Sequence, residues 1–258
     1  MSDQSPPSGA AAARPLTARG IVRRFADLAV LDRVDLDVAP HETVALVGPS
    51  GCGKSTLLEM VCGLQVPDAG DMTVVPAALM PQRDLLLPWL DARDNVALPL
   101  RLAGTGRRAA RAAADELLRH VDLDRFARSR PDELSGGMRQ RVSFLRAMAT
   151  ERELLCLDEP FGALDAITRE ELRHWLAERL RERPRSVLLV THDVEEAALM
   201  GDRVVVLGPR PARVVAEVTV AAGPPRERDA TDPAVIDARR RIHDALRTAM
   251  RRTTEVPA

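Results

Sequence analysis

The run Gly48-Pro49-Ser50-Gly51-Cys52-Gly53-Lys54-Ser55-Thr56 carries the most specific chemistry in the chain. Gly48, Gly53, Lys54 and Ser55 stand at the spacing of a phosphate cradle. Glycines there let backbone N–H groups close around phosphate oxygens without a Cβ in the way. The lysine reaches the β- and γ-phosphates, and the serine hydroxyl reaches Mg²⁺. A helix opening at this point adds a partial positive charge of about half a unit where the anion sits. Among 37 basic residues Lys54 is the only lysine, so a compact ammonium stands here in a chain that otherwise uses the planar guanidinium.

Three further groups have residue types that suit the same chemistry. Ser135, Gly136 and Gly137 form a second anion-binding turn at the start of a helix; a plain cap needs only the serine, and the adjacent glycines add close backbone approach. Asp158 and Glu159 follow the apolar run Leu154-Leu155-Cys156-Leu157 and leave the carboxyl edge of a sheet, where open α/β sheets bind ligands. Asp158 is expected to hold Mg²⁺, directly or through water, and Glu159 to polarise an attacking water. His192 leaves the run Val187 to Thr191 at the same edge, placed as a polar contact to a γ-phosphate. Asp193 and Glu196 have the spacing of a capping box for the helix that follows.

The elements that position these groups read as an α/β fold. Thr43 to Val47 is a buried strand, and Leu57, Leu58, Val61 and Cys62 give helical spacing after the glycine loop. Apolar alternation from Leu16 to Val38 predicts antiparallel strands, with Phe25 near their turn either stacking on a purine or entering the core. Thr73 to Val75 and Ala78 to Met80 read as short strands leading to Gln82. Leu85 to Trp89 is an apolar loop, expected on its own to fold under the domain, before a helix capped near Asp91. From Asp91 to Arg130 the pattern is helical, broken at Gly104-Thr105-Gly106, and a helix from about Ala166 to Arg181 follows the acidic pair. Val204 to Leu207 and Arg213 to Val218 are the last strands; Val235, Ile242, Leu246 and Met250 then mark a helix expected to dock on its own domain, with a membrane surface as the lesser alternative. Residues 1–14 are Ser, Pro, Gly and Ala rich and read as a disordered tail.

Composition narrows the classes. At 258 residues the chain buries a full core, and a net charge of -1 leaves no basic footprint for nucleic acid. Cys52, Cys62 and Cys156 show neither disulfide nor zinc spacing, which points to a reducing compartment. The N-terminus lacks the pattern of a secretory leader, and no apolar run approaches the roughly 18 residues of a membrane span.

Taken in order, GPSGCGKST, Gln82, LSGGMRQ (Leu134 to Gln140), LLCLDEP (Leu154 to Pro160), Ala163-Leu164-Asp165 and His192 resemble the ATP-binding-cassette (ABC) family over Leu16 to Val220. Within it, DLLLPWLDARDNVALPL and RVVVLGPRPARVV resemble the ATPase subunits of nitrate, sulfonate and taurine importers, with pyrimidine thiamine-precursor importers carrying similar segments. Phe25 departs from the family's usual tyrosine, and the segment between Gly70 and Met80 is shorter than usual.

The resemblance implies a P-loop NTPase core, a mixed sheet flanked by helices, with an antiparallel β subdomain and an inserted α-helical subdomain. The ABC ATPase domain would span 15–222, its helical subdomain about 88–150, and a C-terminal helical extension 223–258. It further implies ATP hydrolysis with Mg²⁺ held by Ser55, Gln82 and Asp158, catalysis by Glu159, His192 and Gln82, and nucleotide contacts from Phe25 and the whole of Gly48 to Thr56. Ser135, Gly136 and Gly137 would face the γ-phosphate bound by a second copy in a head-to-tail dimer. Implied partners are membrane-spanning permease subunits, with Leu87 to Trp89 bordering the groove that receives one of their helices, and indirectly an external solute-binding protein. The implied place is the inner face of the cell membrane, held there through those subunits. A cassette ATPase acting on DNA or ribosomes is the rival; the short interval between Ser55 and Leu134 and the single motif set weigh against it.

Overall fold

The computed structural model describes residues 13–254, so nearly all of the expected N-terminal tail lies outside the described residues. The chain opens with β1 (Leu16–Phe25) and β2 (Leu28–Val38), paired antiparallel because their apolar residues alternate and one face is covered. β3 (Thr43–Val47) is buried along its whole length and leads through the glycine loop into α1 (Lys54–Val61). β4 (Ala69–Val74) returns to pair with β1, and β5 (Ala77–Met80) begins the larger sheet.

Between β5 and the next strand lie α2 (Ala92–Leu102), α3 (Arg107–Arg119) and α4 (Gly136–Met148). α2 starts at Asp91, whose carboxylate accepts the Asp94 N–H at 2.6 Å, as its spacing predicts. β6 (Leu154–Asp158), α5 (Ala166–Glu182), β7 (Ser186–Val190), α6 (Val194–Met200), β8 (Arg203–Leu207), β9 (Val214–Thr219) and α7 (Pro233–Thr254) complete the order.

Among the described residues the strands form a three-stranded sheet, β2-β1-β4, and a six-stranded one, β5-β6-β7-β3-β8-β9. β5 through β8 run parallel and β9 is antiparallel at the edge. The continuous apolar runs of β3, β6, β7 and β8 follow from this: a central parallel strand is covered on both faces. One face packs on the three-stranded sheet and α1, through Leu16, Leu36, Leu46, Leu57 and Leu188. On the other, α4 brings Phe144 against Phe161 and, edge-on, against Trp175, with ring centroids 6.2 and 5.8 Å apart. α6 and α7 cover β3 and β8 through Ala45, Val47, Val206, Val235 and Ile242. α7 therefore docks on its own domain as expected, except that Ala249 rather than Met250 is buried.

Candidate functional site

β6, β7 and β3 are neighbours in the sheet, and the residues with candidate chemistry follow their carboxyl ends. The glycine loop follows β3, Asp158 ends β6 with Glu159 next, and Thr191-His192 follow β7. Three separated stretches of sequence thus meet at one edge, where parallel sheets place their ligands.

The loop over 48–53 is shaped by close approach. Gly53 sits at φ 117°, and a Cβ there would lie 2.7 Å from Val30 Cγ1 and 2.9 Å from Leu31 Cδ2. Alanine at this position meets strain and overlap together, so Gly53→Ala is expected to destabilise the fold by about 2–4 kcal/mol, read as a lower urea midpoint with unchanged slope. Lys54 is 8% exposed, and its ammonium donates to the carbonyls of Gly48 and Pro49 at 2.8 and 3.1 Å. These bonds hold the chain's only lysine against the backbone of the glycine loop. Cys52, buried in the same loop, has its thiol pushed up by burial, with Lys54 pulling the other way, so it stays protonated and inert.

Asp158 is buried, and burial pushes its carboxyl up from the ordinary value, opposed by the Ser55 hydroxyl and the Lys54 charge. Its Oδ1 is buried without a hydrogen-bond partner. Ser55, Gln82 and Asp158 line one cleft of about 210 Å³, together with Glu59 and Arg83. An orphaned carboxylate oxygen beside a hydroxyl and an amide suits a hard cation that keeps waters and substrate phosphates in its shell, and so fits Mg²⁺.

Glu159 adopts φ 52°, the left-handed region, and its N–H donates to Val190 O at 2.9 Å. This conformation is uncommon for a residue with a side chain and persists only where neighbours enforce it. One such neighbour is Gln140, whose Nε2 donates to Glu159 O at 2.7 Å. The Glu159 carboxylate meets His192 Nδ1 at 2.7 Å, with the histidine side chain 71% exposed and the glutamate 13%. A carboxylate and an imidazole held together at the mouth of a phosphate site can position and deprotonate a water.

Ser135 caps α4 as expected, accepting the Met138 N–H at 3.2 Å, and both Ser135 and Gly136 are exposed. Among the described residues no hydrogen bond joins this turn to the Gly48 to Thr56 loop. Phe25 does not enter the core, one of its two expected alternatives: it is 42% exposed, with the Arg23 guanidinium 4.7 Å above its ring.

Two other expectations change. The capping box at α6 does not close: the Asp193 carboxylate accepts from Glu195 N and Glu196 N, but Asp193 N donates to Thr191 Oγ1, which takes the place of the Glu196 carboxylate. That carboxylate turns inward to Thr191 instead. The apolar loop is not folded under the domain either. Leu86 is buried, but Leu85 and Trp89 are 60% and 69% exposed. Arg146 donates to the carbonyls of Asp84 and Leu85, and buried Asn95 bonds both backbone groups of Leu87 and the carbonyls of Leu90 and Asp91.

Sequence reasoning assigned no site role to Gln140, Thr191, Glu196 or Arg210. Gln140 lies in the quoted LSGGMRQ run, and Thr191 adjoins His192, so both had a local signal. Arg210 lies in the quoted RVVVLGPRPARVV run; its Nη2 lies 2.6 Å from where a Gly51 Cβ would stand, against the glycine loop.

Comparison with known proteins matches residues 31–162 to the model of a family described as "ABC transporter". The chain is 44% identical over 232 residues to the taurine import ATP-binding protein TauB of Sinorhizobium fredii, covering 84% of this chain and 85% of that one. It is 45% identical over 212 residues to the aliphatic sulfonates import ATP-binding protein SsuB 2 of Xanthomonas axonopodis pv. citri, covering 79% and 71%. Among solved structures it resembles the dimeric post-hydrolysis state of the ATP-binding cassette MJ0796 bound to ADP and Pi, with TM-score 0.74, 28% identity, and coverage of 81% of this chain and 100% of that chain.

Proposed function

Because this chain belongs to the ABC transporter family, we propose that it is the ATP-hydrolysing subunit of an importer for small sulfonates of the taurine type, working as a head-to-tail pair of copies. The observation that carries the paired site is the presence of two candidate anion-binding turns: Lys54 lies buried in the loop after β3, and Ser135 and Gly136 lie exposed at the start of α4. One nucleotide site has no use for both. In two copies placed head to tail, each triphosphate is held by the Lys54 loop of one and the Ser135 turn of the other. The dimeric form of the related MJ0796 cassette supports this arrangement.

In this reading the backbone of Gly48 to Thr56 and the Lys54 ammonium bind the triphosphate, and Phe25 stacks on the base. Ser55, Gln82 and Asp158 would hold Mg²⁺, which when bound neutralises charge on the phosphate oxygens. Glu159 takes a proton from the attacking water, and His192, bonded to Glu159, contacts the γ-phosphate. The exposed Leu85, Pro88 and Trp89 dock a helix of a membrane-spanning partner, keeping the subunit on the inner face of the membrane. No helix among the described residues is long and apolar enough to cross a membrane, so translocation belongs to that partner. An external solute-binding protein delivers the sulfonate to it.

The test mixes two inactive variants. Lys54→Ala loses the loop cation, and Ser135→Arg places a bulky charge on the opposing turn. A mixed pair keeps one composite site with both wild-type turns, so mixing at equal concentration is expected to restore ATP hydrolysis to at most roughly a quarter of the wild-type rate. A mixture as inactive as its components would mean that each site is built within a single copy, and the paired reading would fall.

A further inference from the structure

We propose that Glu196 is a positioning residue of the hydrolytic pair: seated inside the domain beneath Thr191, it fixes the turn that presents His192 to Glu159. This rests on the reading of Glu159 as the residue that deprotonates water. Glu196 is 5% exposed, and its Oε2 accepts from the Thr191 hydroxyl. The same Thr191 oxygen accepts the Asp193 N–H at 3.0 Å, so one hydroxyl ties Glu196 to both residues flanking His192. His192 in turn meets Glu159 at 2.7 Å. A cap at α6 requires none of this, because Asp193 alone satisfies Glu195 N and Glu196 N. The other carboxylate oxygen, Oε1, is buried without a partner, which is costly unless the group serves a purpose there.

The surroundings define how its charge acts. Facing Glu196 are Asp193 on its own turn, Glu159 from the end of β6, and Arg169 from α5, which pairs with Asp193 at 3.7 Å. α7 places Arg239 on Glu195, outside this contact, and Arg228 bonds carbonyls at the far end of α6. β3 and β8 offer α6 apolar side chains such as Ala45, Val47, Val204 and Val206. Burial foremost, then the like charges of Asp193 and Glu159, push the Glu196 carboxyl up to about 7 from an ordinary 4.5, against the Thr191 bond. Above that pH its negative charge strengthens the pull on the Thr191 hydroxyl and holds the turn before His192 more firmly. Below it, Glu196 is neutral and that assistance is gone.

Steady-state kinetics of the full-length protein with Mg-ATP at pH 6 and pH 8 decide the matter. With Glu196→Gln, kcat at pH 8 is expected to fall about tenfold, the worth of the charge-assisted bond to Thr191 that steadies the turn, while at pH 6 it stays within about twofold of wild type. The KM for ATP is unchanged at both, since Glu196 touches no nucleotide. Its urea midpoint at pH 8 is no lower than that of wild type, because an amide has no charge to bury. Thr191→Val, which cuts the link and removes no ionisable group, lowers kcat at both pH values. Wild-type kinetics in either variant overturns the proposal, and so does a Glu196→Gln loss that is equal at pH 6 and pH 8 and accompanied by a fallen midpoint. Glu159→Gln in the same series separates the two readings: if it still hydrolyses ATP, the base assignment has failed, whereas an inactive Glu159→Gln beside a normal Glu196→Gln condemns the positioning role alone.

Discussion

Replacing Glu159 by glutamine is expected to lower steady-state ATP hydrolysis by about 10²- to 10⁴-fold, the worth of a well-placed general base, while leaving ATP affinity intact. The substitution keeps the length and shape of the side chain and the backbone bonds that hold it, Glu159 N to Val190 O and Gln140 Nε2 to Glu159 O. What it removes is the ability to accept a proton from water. Binding survives because, in the proposed site, the triphosphate would be held elsewhere, by the loop after β3 and by the cleft of Ser55, Gln82 and Asp158. The variant should therefore accumulate as a nucleotide-bound dimer, visible as a shift in elution when ATP and Mg²⁺ are present. Turnover at the wild-type rate would remove Glu159 from the chemistry altogether.

Lys54→Ala is expected to fail one step earlier. Lys54 is the only lysine the chain contains, and its ammonium is held against the loop's backbone by two carbonyls. Without it, the proposed site loses its principal point charge against the β- and γ-phosphates. A loss of about 2–4 kcal/mol, or roughly 30- to 1,000-fold in ATP affinity by calorimetry, follows from removing one partner of a buried charged contact. Affinity for adenosine, which has no phosphates, should barely change. Near-normal ATP affinity would contradict the assignment of this loop as the phosphate cradle.

How much of this was legible in the sequence depends on how local the signal was. The glycine loop, the Ser135 cap and the acidic pair each combine a distinctive residue with an adjacent apolar run, so chain neighbours alone identify them. That β6, β7 and β3 lie side by side is not local: parallel neighbours are distant in sequence, and apolar runs do not state their order. The Glu196 reading failed for a related reason. Spacing suggested a box with Asp193, but Thr191 already fills the bond that the box needs, and the glutamate turns into the protein. The loop at Leu85 to Trp89 misled because apolar composition alone does not distinguish side chains facing inward from those facing out. The signal lay in its polar neighbours, since Arg146 and Asn95 hold its main chain and leave Leu85 and Trp89 outside.

That pinning has a mechanical meaning. A short run of backbone leads from Gln82, in the cation cleft, to the knobs of Leu85 and Trp89, and its carbonyls are bolted to α4 by Arg146 and to α2 by Asn95. A slack tether would dissipate a small displacement of Gln82 as it traveled outward. A braced one acts as a stiff lever, so in the proposed complex a displacement of Gln82 would be carried outward to the partner helix docked on Trp89.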